Sequence, residues 1–369
     1  MSAGRLKVAG LLVALWGGVA APAAGQDSQF AIGGLGTPGR PEGVRARSTG
    51  GAFAPFDVAS SQMEAALADV TRLTASAMGT TSHRDLDFGT TTAALRVSRF
   101  PGLLVSGGLR RGWVGSLGFS TYLDRTYRVR ITDTLDLRGQ PEPFTDDLSS
   151  EGAVTDVRAA VARRLTRRLA VGAAFHVLVG STREQVSRDF ENASYATAVQ
   201  RTEVFYNGLG ASVSLMADVL TGVRVAGWLR SDGHLVTETE EAETARNDMP
   251  VQAGAALHWQ PRPFGRVAAA VAWGGWSVSA PGAFDTFNWS VGAELGGGSL
   301  PLRLGVRGGR LPYGPGAAAP TELGGAIGTG VRVARGRGAL DFGVEYLRRE
   351  GPGLTETIWT VMMGIGIRP

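Results

Sequence analysis

Residues 250–260 read PVQAGAALHWQ. Extended, this stretch puts Val251, Ala253, Ala255, Leu257 and Trp259 on one face and Gln252, Gly254, Ala256, His258 and Gln260 on the other. Successive side chains of a strand point to opposite faces, so one face is apolar and the other polar or small. The pattern returns at 288–295, where Trp289, Val291, Ala293 and Leu295 oppose Asn288, Ser290, Gly292 and Glu294. At 340–346, Leu340, Phe342, Val344 and Tyr346 oppose Asp341, Gly343 and Glu345. At 359–367, Trp359, Val361, Met363, Ile365 and Ile367 oppose Thr360, Met362, Gly364 and Gly366.

One such stretch fits a soluble sandwich equally well. The number of stretches and the connections between them decide. The alternation predicts about fourteen strands, near residues 72–82, 93–109, 113–131, 152–163, 168–184, 199–216, 222–236, 249–260, 266–278, 286–296, 301–312, 322–335, 338–349 and 355–367. Pro101 interrupts the second and predicts a bulge or break there. Turns after even-numbered strands are short: Arg110 to Gly112, Arg164 to Arg167, Asp218 to Thr221, Pro261 to Gly265, Gly296 to Leu300, and Gly336-Arg337. Connections after odd-numbered strands are mostly longer and more polar: Thr132 to Glu151, Gln185 to Ala198, Thr237 to Asp248, and Pro312 to Thr321. Outer-membrane barrels have this asymmetry, with short periplasmic turns and longer external loops. In hydrocarbon every backbone polar group needs a partner, so the sheet must close on itself. The expected fold is all-β, a transmembrane antiparallel β-barrel of about 14 strands over residues 71–369, with both termini periplasmic.

Composition agrees. Glycine is 54 of 369 residues, about twice the usual share. Beyond the N-terminus no window holds about 18 uncharged apolar residues, which excludes a helical membrane protein. The absence of cysteine excludes disulfides, thiol catalysis and cysteine-ligated metals. The net charge of +4 comes from arginines spread along the chain, a distribution that argues against nucleic acid as a partner. Residues 1–25 read as a signal peptide, with Arg5 and Lys7, then an apolar run from Val8 to Val19, then small residues to Gly25. Residues 26–70 do not alternate, and a helix is expected over Val58–Val70. This stretch is too long for a free tail and too short for a separate domain, and reads as a lumenal plug. The expected location is the bacterial outer membrane, with outer-membrane lipid and lipopolysaccharide as surroundings and the barrel-assembly machinery as a partner during biogenesis.

Arg47-Ser48-Thr49-Gly50-Gly51-Ala52-Phe53, then Asp57-Val58-Ala59-Ser60-Ser61, Met249-Pro250 with Gly254, Trp276-Ser277, Gly292-Ala293-Glu294 and Pro301-Leu302-Arg303-Leu304-Gly305 together resemble the motifs of FadL/TodX-type outer-membrane transporters of long-chain fatty acids and other hydrophobic compounds, in order and spacing. The resemblance spans nearly the whole mature chain. It implies a 14-stranded barrel with an N-terminal hatch involving Gly50, Gly51, Phe53, Asp57, Glu64, Ala65 and Ala66. It also implies passive uptake of a hydrophobic small-molecule solute through a lumenal pocket, with a side opening near the third strand. Three departures stand out. Glu64-Ala65-Ala66 replaces the family's Asn-Pro-Ala signature, the connection between strands five and six is short, and the chain ends Ile367-Arg368-Pro369 rather than in an aromatic residue.

Arg224, Arg230, Glu294, Arg303, Arg307, Asp341 and Glu345 fall on predicted lumen faces. Two readings stay open: a salt-bridge ladder that rigidifies the barrel and holds the plug, or an arginine-lined path for an anionic head group. Gly115 and Gly118 are the candidate lateral gate. Trp113, Tyr122, Tyr127, Trp273, Trp289, Tyr346 and Trp359 are candidates for interfacial girdles. Gly34-x-Gly36-x-x-Gly39 matches a dinucleotide fingerprint but follows no strand. The four histidines form no close pair, and no local Ser/His/acid signature occurs, so no cofactor, metal or catalytic residue is expected. The expected function is a channel for passive uptake of hydrophobic or amphipathic molecules. The alternative is a structural or secretion-associated barrel serving a protein partner.

Overall fold

The computed structural model describes residues 28–60, 62–87, 92–137, 139–239, 244–261, 265–296, 300–314 and 316–368, so the expected signal peptide lies outside the described residues. Fourteen antiparallel strands form a closed ring, and four further strands attach to it. The ring strands are β1 (Thr74–Asp87), β2 (Thr92–Gly108), β3 (Trp113–Asp124), β4 (Gln140–Arg164), β5 (Leu169–Phe190), β6 (Ala198–Leu220) and β7 (Val223–Ser231). They continue as β8 (Val251–Trp259), β9 (Arg266–Gly274), β10 (Thr286–Leu295), β11 (Leu302–Arg310), β12 (Thr321–Val333), β13 (Gly338–Gly351) and β14 (Leu354–Ile367). The ring closes where β14 pairs with β1, from Thr355 opposite Asp87 to Ile367 opposite Ala75.

Burial is inverted relative to a water-soluble protein. Val291, Trp359 and Val361 are 44%, 48% and 61% exposed, while Asp156, Arg158, Glu294, Arg303, Glu345 and Glu356 are buried. Scattered exposed apolar residues are ordinary on any protein; a continuous outward set with charges buried inside is not. The alternation read from sequence therefore points its apolar face outward, as a bilayer requires.

The expected strands all occur, but their lengths differ. β4, β5 and β6 have 25, 22 and 23 residues, against the roughly 9–11 that cross a membrane. The stretches read as polar loops, Thr132–Glu151 and Gln185–Ala198, are largely the projecting ends of these strands, paired with an added strand at Tyr127–Leu137. The predicted third strand, 113–131, is in fact broken after Asp124. Likewise the seventh breaks after Ser231, and His234–Thr239 pairs with Ala245–Asp248 on one side and with β6 on the other, from Leu235 opposite Gly208 to Thr239 opposite Val204. Above the bilayer a strand needs backbone partners but no apolar outer face, so polarity alone misleads there. Arg128 donates to Asp147 at 2.7 Å and Arg188 to Asp146 at 2.7 Å across this sheet.

The helix expected over Val58–Val70 is absent. The segment has a turn at Val58-Ala59 and a 3-10 helix at Glu64–Asp69, and α1 (Val44–Arg47) is the α-helical turn before it. The two ends of the described chain are also at opposite ends of the barrel. Arg368 bonds the Arg337 carbonyl in a short turn, whereas Ser28 donates to Glu356 and Phe30 packs with Leu86, Leu311 and Leu354 at the long-loop end.

Val291→Arg, on the outward face of a mid-barrel strand, is expected to lower folding stability in lipid by about 2–4 kcal/mol. Leu135→Arg, on the projecting sheet, is expected to change it by less than about 0.5 kcal/mol. Urea titration of both variants in vesicles measures the contrast.

Candidate functional site

The N-terminal segment runs along inward-facing backbone on both sides of the ring. A Cβ on Gly305 would lie 2.1 Å from the Thr49 carbonyl carbon, and one on Gly292 would lie 2.3 Å from the Thr49 oxygen. Glycines on the inner wall thus leave room for the backbone of the segment to press directly against it. Gly50 and Gly51 turn the chain there with φ of 68° and 94°. Phe53 is buried, its ring centroid 5.5 Å from that of His258 in an edge-to-face arrangement.

Ion pairs pin the segment around the ring. Arg45 donates to Glu294 at 2.9 Å, Arg47 to Glu345 at 2.5 Å, and Arg40 also binds Glu345. Asp69 takes Arg224 at 2.5 Å and Arg164 as well. Asp57 is buried 4.0 Å from Arg45. Burial disfavours the charged form of Arg45, but Asp57 and Glu294 outweigh that and raise its pKa, so it stays cationic.

The predicted lumen charges are all paired. Arg224 bonds Asp218 at 2.7 Å, and Arg230 bonds Asp232 at 2.8 Å and Asp156 at 2.7 Å. Arg303 bridges Glu294 at 2.9 Å and Asp341 at 2.5 Å, and Arg307 binds Glu322. These contacts form a run of ion pairs along the inner wall.

Glu64 sits at the end of a buried chain that sequence reading did not assemble. Its carboxylate accepts from Ser212 Oγ at 2.8 Å, and Ser212 is 2.8 Å from His176 Nε2. His176 Nδ1 lies 2.9 Å from Asp156. Next along, the Ala65 N–H donates to Ser214 Oγ at 2.8 Å, and Ala66 is buried. Ser, His and Asp therefore converge, inside the lumen rather than at the outer rim. The serine proton is committed to Glu64, however, so the imidazole is not placed to draw it off as a general base would. The chain tethers the segment to β4, β5 and β6. No signal in the sequence beyond strand register could have joined these residues.

The segment divides the lumen. Toward the long loops lies a cavity of about 250 Å³ lined by Arg40, Gln62, Tyr122, Trp228, Arg230 and Trp276 among others. Toward the short turns lies one of about 350 Å³, touching Val44, Val58, Met78, Leu104 and Phe119. A third, of about 570 Å³, lies between Phe53, Phe56, Arg224 and His258. An apolar cluster of Leu35, Leu123, Val154, Leu178, Tyr206, Leu235 and Trp276 borders the first.

The wall is split beside that cavity. β2 pairs with β3 only from Gly102–Ser120 to Gly108–Val114. On its other side β2 bulges, with Phe100 and Pro101 opposing Gly79 alone. Proline has no N–H for the ladder, so pairing stops where Pro101 stands. Beyond it, Thr37–Pro38 takes the free edge of β3 at Asp124 and Leu123, and the Gly39 N–H donates to the Tyr122 carbonyl at 2.7 Å. Gly39 is required: a Cβ there would lie 2.0 Å from the Thr121 oxygen. Gly36 is tight as well, a Cβ on it lying 2.6 Å from the Asp124 oxygen, so two of the three glycines that mimicked a dinucleotide fingerprint serve this close approach, and Gly34 lies against the Tyr313 ring. Gly115 and Gly118, by contrast, are paired to both neighbours, so the sheet is continuous at them. Tyr122 also departs from its expected girdle role. It lies at a bulge in β3 and donates inward to Asp232 at 2.7 Å.

A closed barrel occupied by its own N-terminal segment and split beside its third strand defines the class. The fold is that of the FadL/TodX-type hydrocarbon channels. A Pseudomonas aeruginosa FadL homologue superposes with a TM-score of 0.63 at 11% identity, covering 90% of this chain and 99% of that one. The Pseudomonas putida toluene transporter TodX gives 0.61 at 12%, covering 89% and 97%. The CymD monoaromatic hydrocarbon channel gives 0.55 at 13%, covering 91% and 98%. No family model matches the sequence, and no curated protein matches it at the sequence level.

Glu345→Gln leaves two buried guanidinium groups without their carboxylate and is expected to cost about 3–5 kcal/mol. Glu350→Gln, at an exposed pair with Arg348, is expected to change stability by less than about 0.5 kcal/mol. Unfolding midpoints in the same detergent test the difference.

Proposed function

We propose that this protein sits in a bacterial outer membrane, behind a cleaved signal peptide at 1–25, and takes up small hydrophobic or amphipathic molecules passively. Residues 26–70 act as its hatch. The observation that carries the reading is the split between β2 and β3, adjacent to the outer lumenal cavity and filled by Thr37–Pro38. A solute that reaches this cavity leaves sideways into the bilayer when that short strand lifts off β3, without crossing the charged ladder below. The folds of the toluene transporter TodX and the CymD monoaromatic hydrocarbon channel support this.

Solute size follows from the cavity. An apolar cavity of about 150 Å³ takes benzene, so about 250 Å³ suits a single ring or a short chain better than a long acyl tail. Trp228 and Trp276 offer apolar surface and Arg230 a donor for an amphipathic solute. Capture begins on the projecting sheet. In the paired register, Val129, Ile131, Leu135, Phe144, Leu148, Val186 and Phe190 share the face continuous with the lumen with Asp133, Glu142 and the Asp146–Arg188 pair, so that face is amphipathic, while Arg128, Arg130, Asp147 and Asp189 share the other.

The chain has no cysteine, so Thr37→Cys with Asp124→Cys gives a clean crosslink across the paired positions. In cells with an intact lipopolysaccharide layer, oxidation is expected to cut uptake of a labelled monoaromatic compound at least tenfold, and reductant to restore it. Unchanged uptake by the crosslinked protein removes the lateral route.

A further inference from the structure

Arginines without an ion-pair partner gather in the short turns at one end of the barrel. The turns at the short-turn end carry Arg110 and Arg111 between β2 and β3, Arg167 and Arg168 between β4 and β5, and Arg335 and Arg337 between β12 and β13. All six side chains are exposed, and among the described residues none makes an ion pair. The acids at this end, Asp69 and Asp218, are already held by Arg164 and Arg224. At the other end arginines are matched by acids, as in Arg125–Glu184, Arg128–Asp147 and Arg188–Asp146.

Backbone conformation supplies an independent observation. Arg111 and Arg335 adopt left-handed φ of 59° and 57°. Among the described residues the only other non-glycine with positive φ is Ala334, in the same turn as Arg335. Glycine adopts this conformation freely, and it occupies the remaining left-handed positions. Arginine held where glycine would be unstrained points to a use for the side chain. The level in the membrane says which use. Leu109, Trp113, Leu165 and Val333 flank these turns with exposed apolar side chains. The guanidinium groups therefore stand where hydrocarbon gives way to head groups.

We propose that the short-turn end is a docking ring for anionic phospholipids of the facing leaflet, gripping their phosphodiesters. A planar guanidinium binds phosphate oxygens in pairs, which a point charge does not. The ring would fix the depth and tilt of the barrel. This inference rests on the chain spanning a bilayer and is independent of what passes through the lumen.

Trp113 and Trp259 face outward near this end, so quenching by brominated lipid reports the contact. The mature protein is inserted into phosphatidylcholine bilayers containing brominated phosphatidylglycerol or brominated phosphatidylcholine. Phosphatidylglycerol is expected to bind about fivefold more tightly, the attraction of one basic side chain to an anionic surface. At about 1 M salt, where the Debye length is about 3 Å, the preference should vanish. It should also vanish in R110Q/R111Q/R335Q/R337Q and fall partway in R167Q/R168Q, with heat-modifiable mobility reporting insertion of each. Equal quenching by the two lipids in the wild type, or a full preference retained by both variants, overturns the proposal. A wild type that does not insert at all fails one step earlier, at the membrane-spanning reading.

Discussion

Backbone pairing in a solvent that offers no hydrogen bonds is the constraint on which the rest of the molecule depends. An unpaired N–H or C=O in hydrocarbon costs several kcal/mol. The β14–β1 seam removes the last open edge, and every other feature follows inside or above that ring. Outward faces are free to be apolar because lipid receives them. Inward faces are free to be charged because each charge meets an opposite one across a few ångströms.

Two devices then hold the N-terminal segment within the ring. Wall glycines such as Gly292 and Gly305 allow backbone to approach backbone, and carboxylates such as Glu294 and Glu345 take arginines from the segment. Buried ion pairs contribute little net stability, since desolvation offsets attraction, but they fix position because a lone partner is so costly. Against this rigid arrangement, a single residue lacking an amide hydrogen, Pro101, ends the β2–β3 ladder and leaves an edge that only the Thr37–Pro38 strand covers. The strong contacts lie below and the weak one lies at the split, which is where motion is easiest.

The ring was readable in the sequence because its pattern is local. Val251 to Trp259 announces its own two faces, and Pro101 announces its own break. The extent of β4 to β6 was not readable, because above the bilayer the outer face becomes polar while the backbone goes on pairing. The chain from Glu64 through Ser212 and His176 to Asp156 was also hidden, since it joins three strands and the N-terminal segment through their register. Glycine serves many ends here, so Gly115 and Gly118 carry no positional signal of their own. Gly36 and Gly39 matter instead because they let the Thr37–Pro38 strand lie against β3.

The most direct measurement is amide hydrogen exchange by mass spectrometry on the protein in lipid nanodiscs. Peptides from Thr74–Asp87 and Leu354–Ile367 should resist exchange as long as those from Arg266–Gly274 and Thr286–Leu295, since all four strands are paired on both sides. Rapid exchange confined to the first two would mean an open seam, and the closed ring would be contradicted.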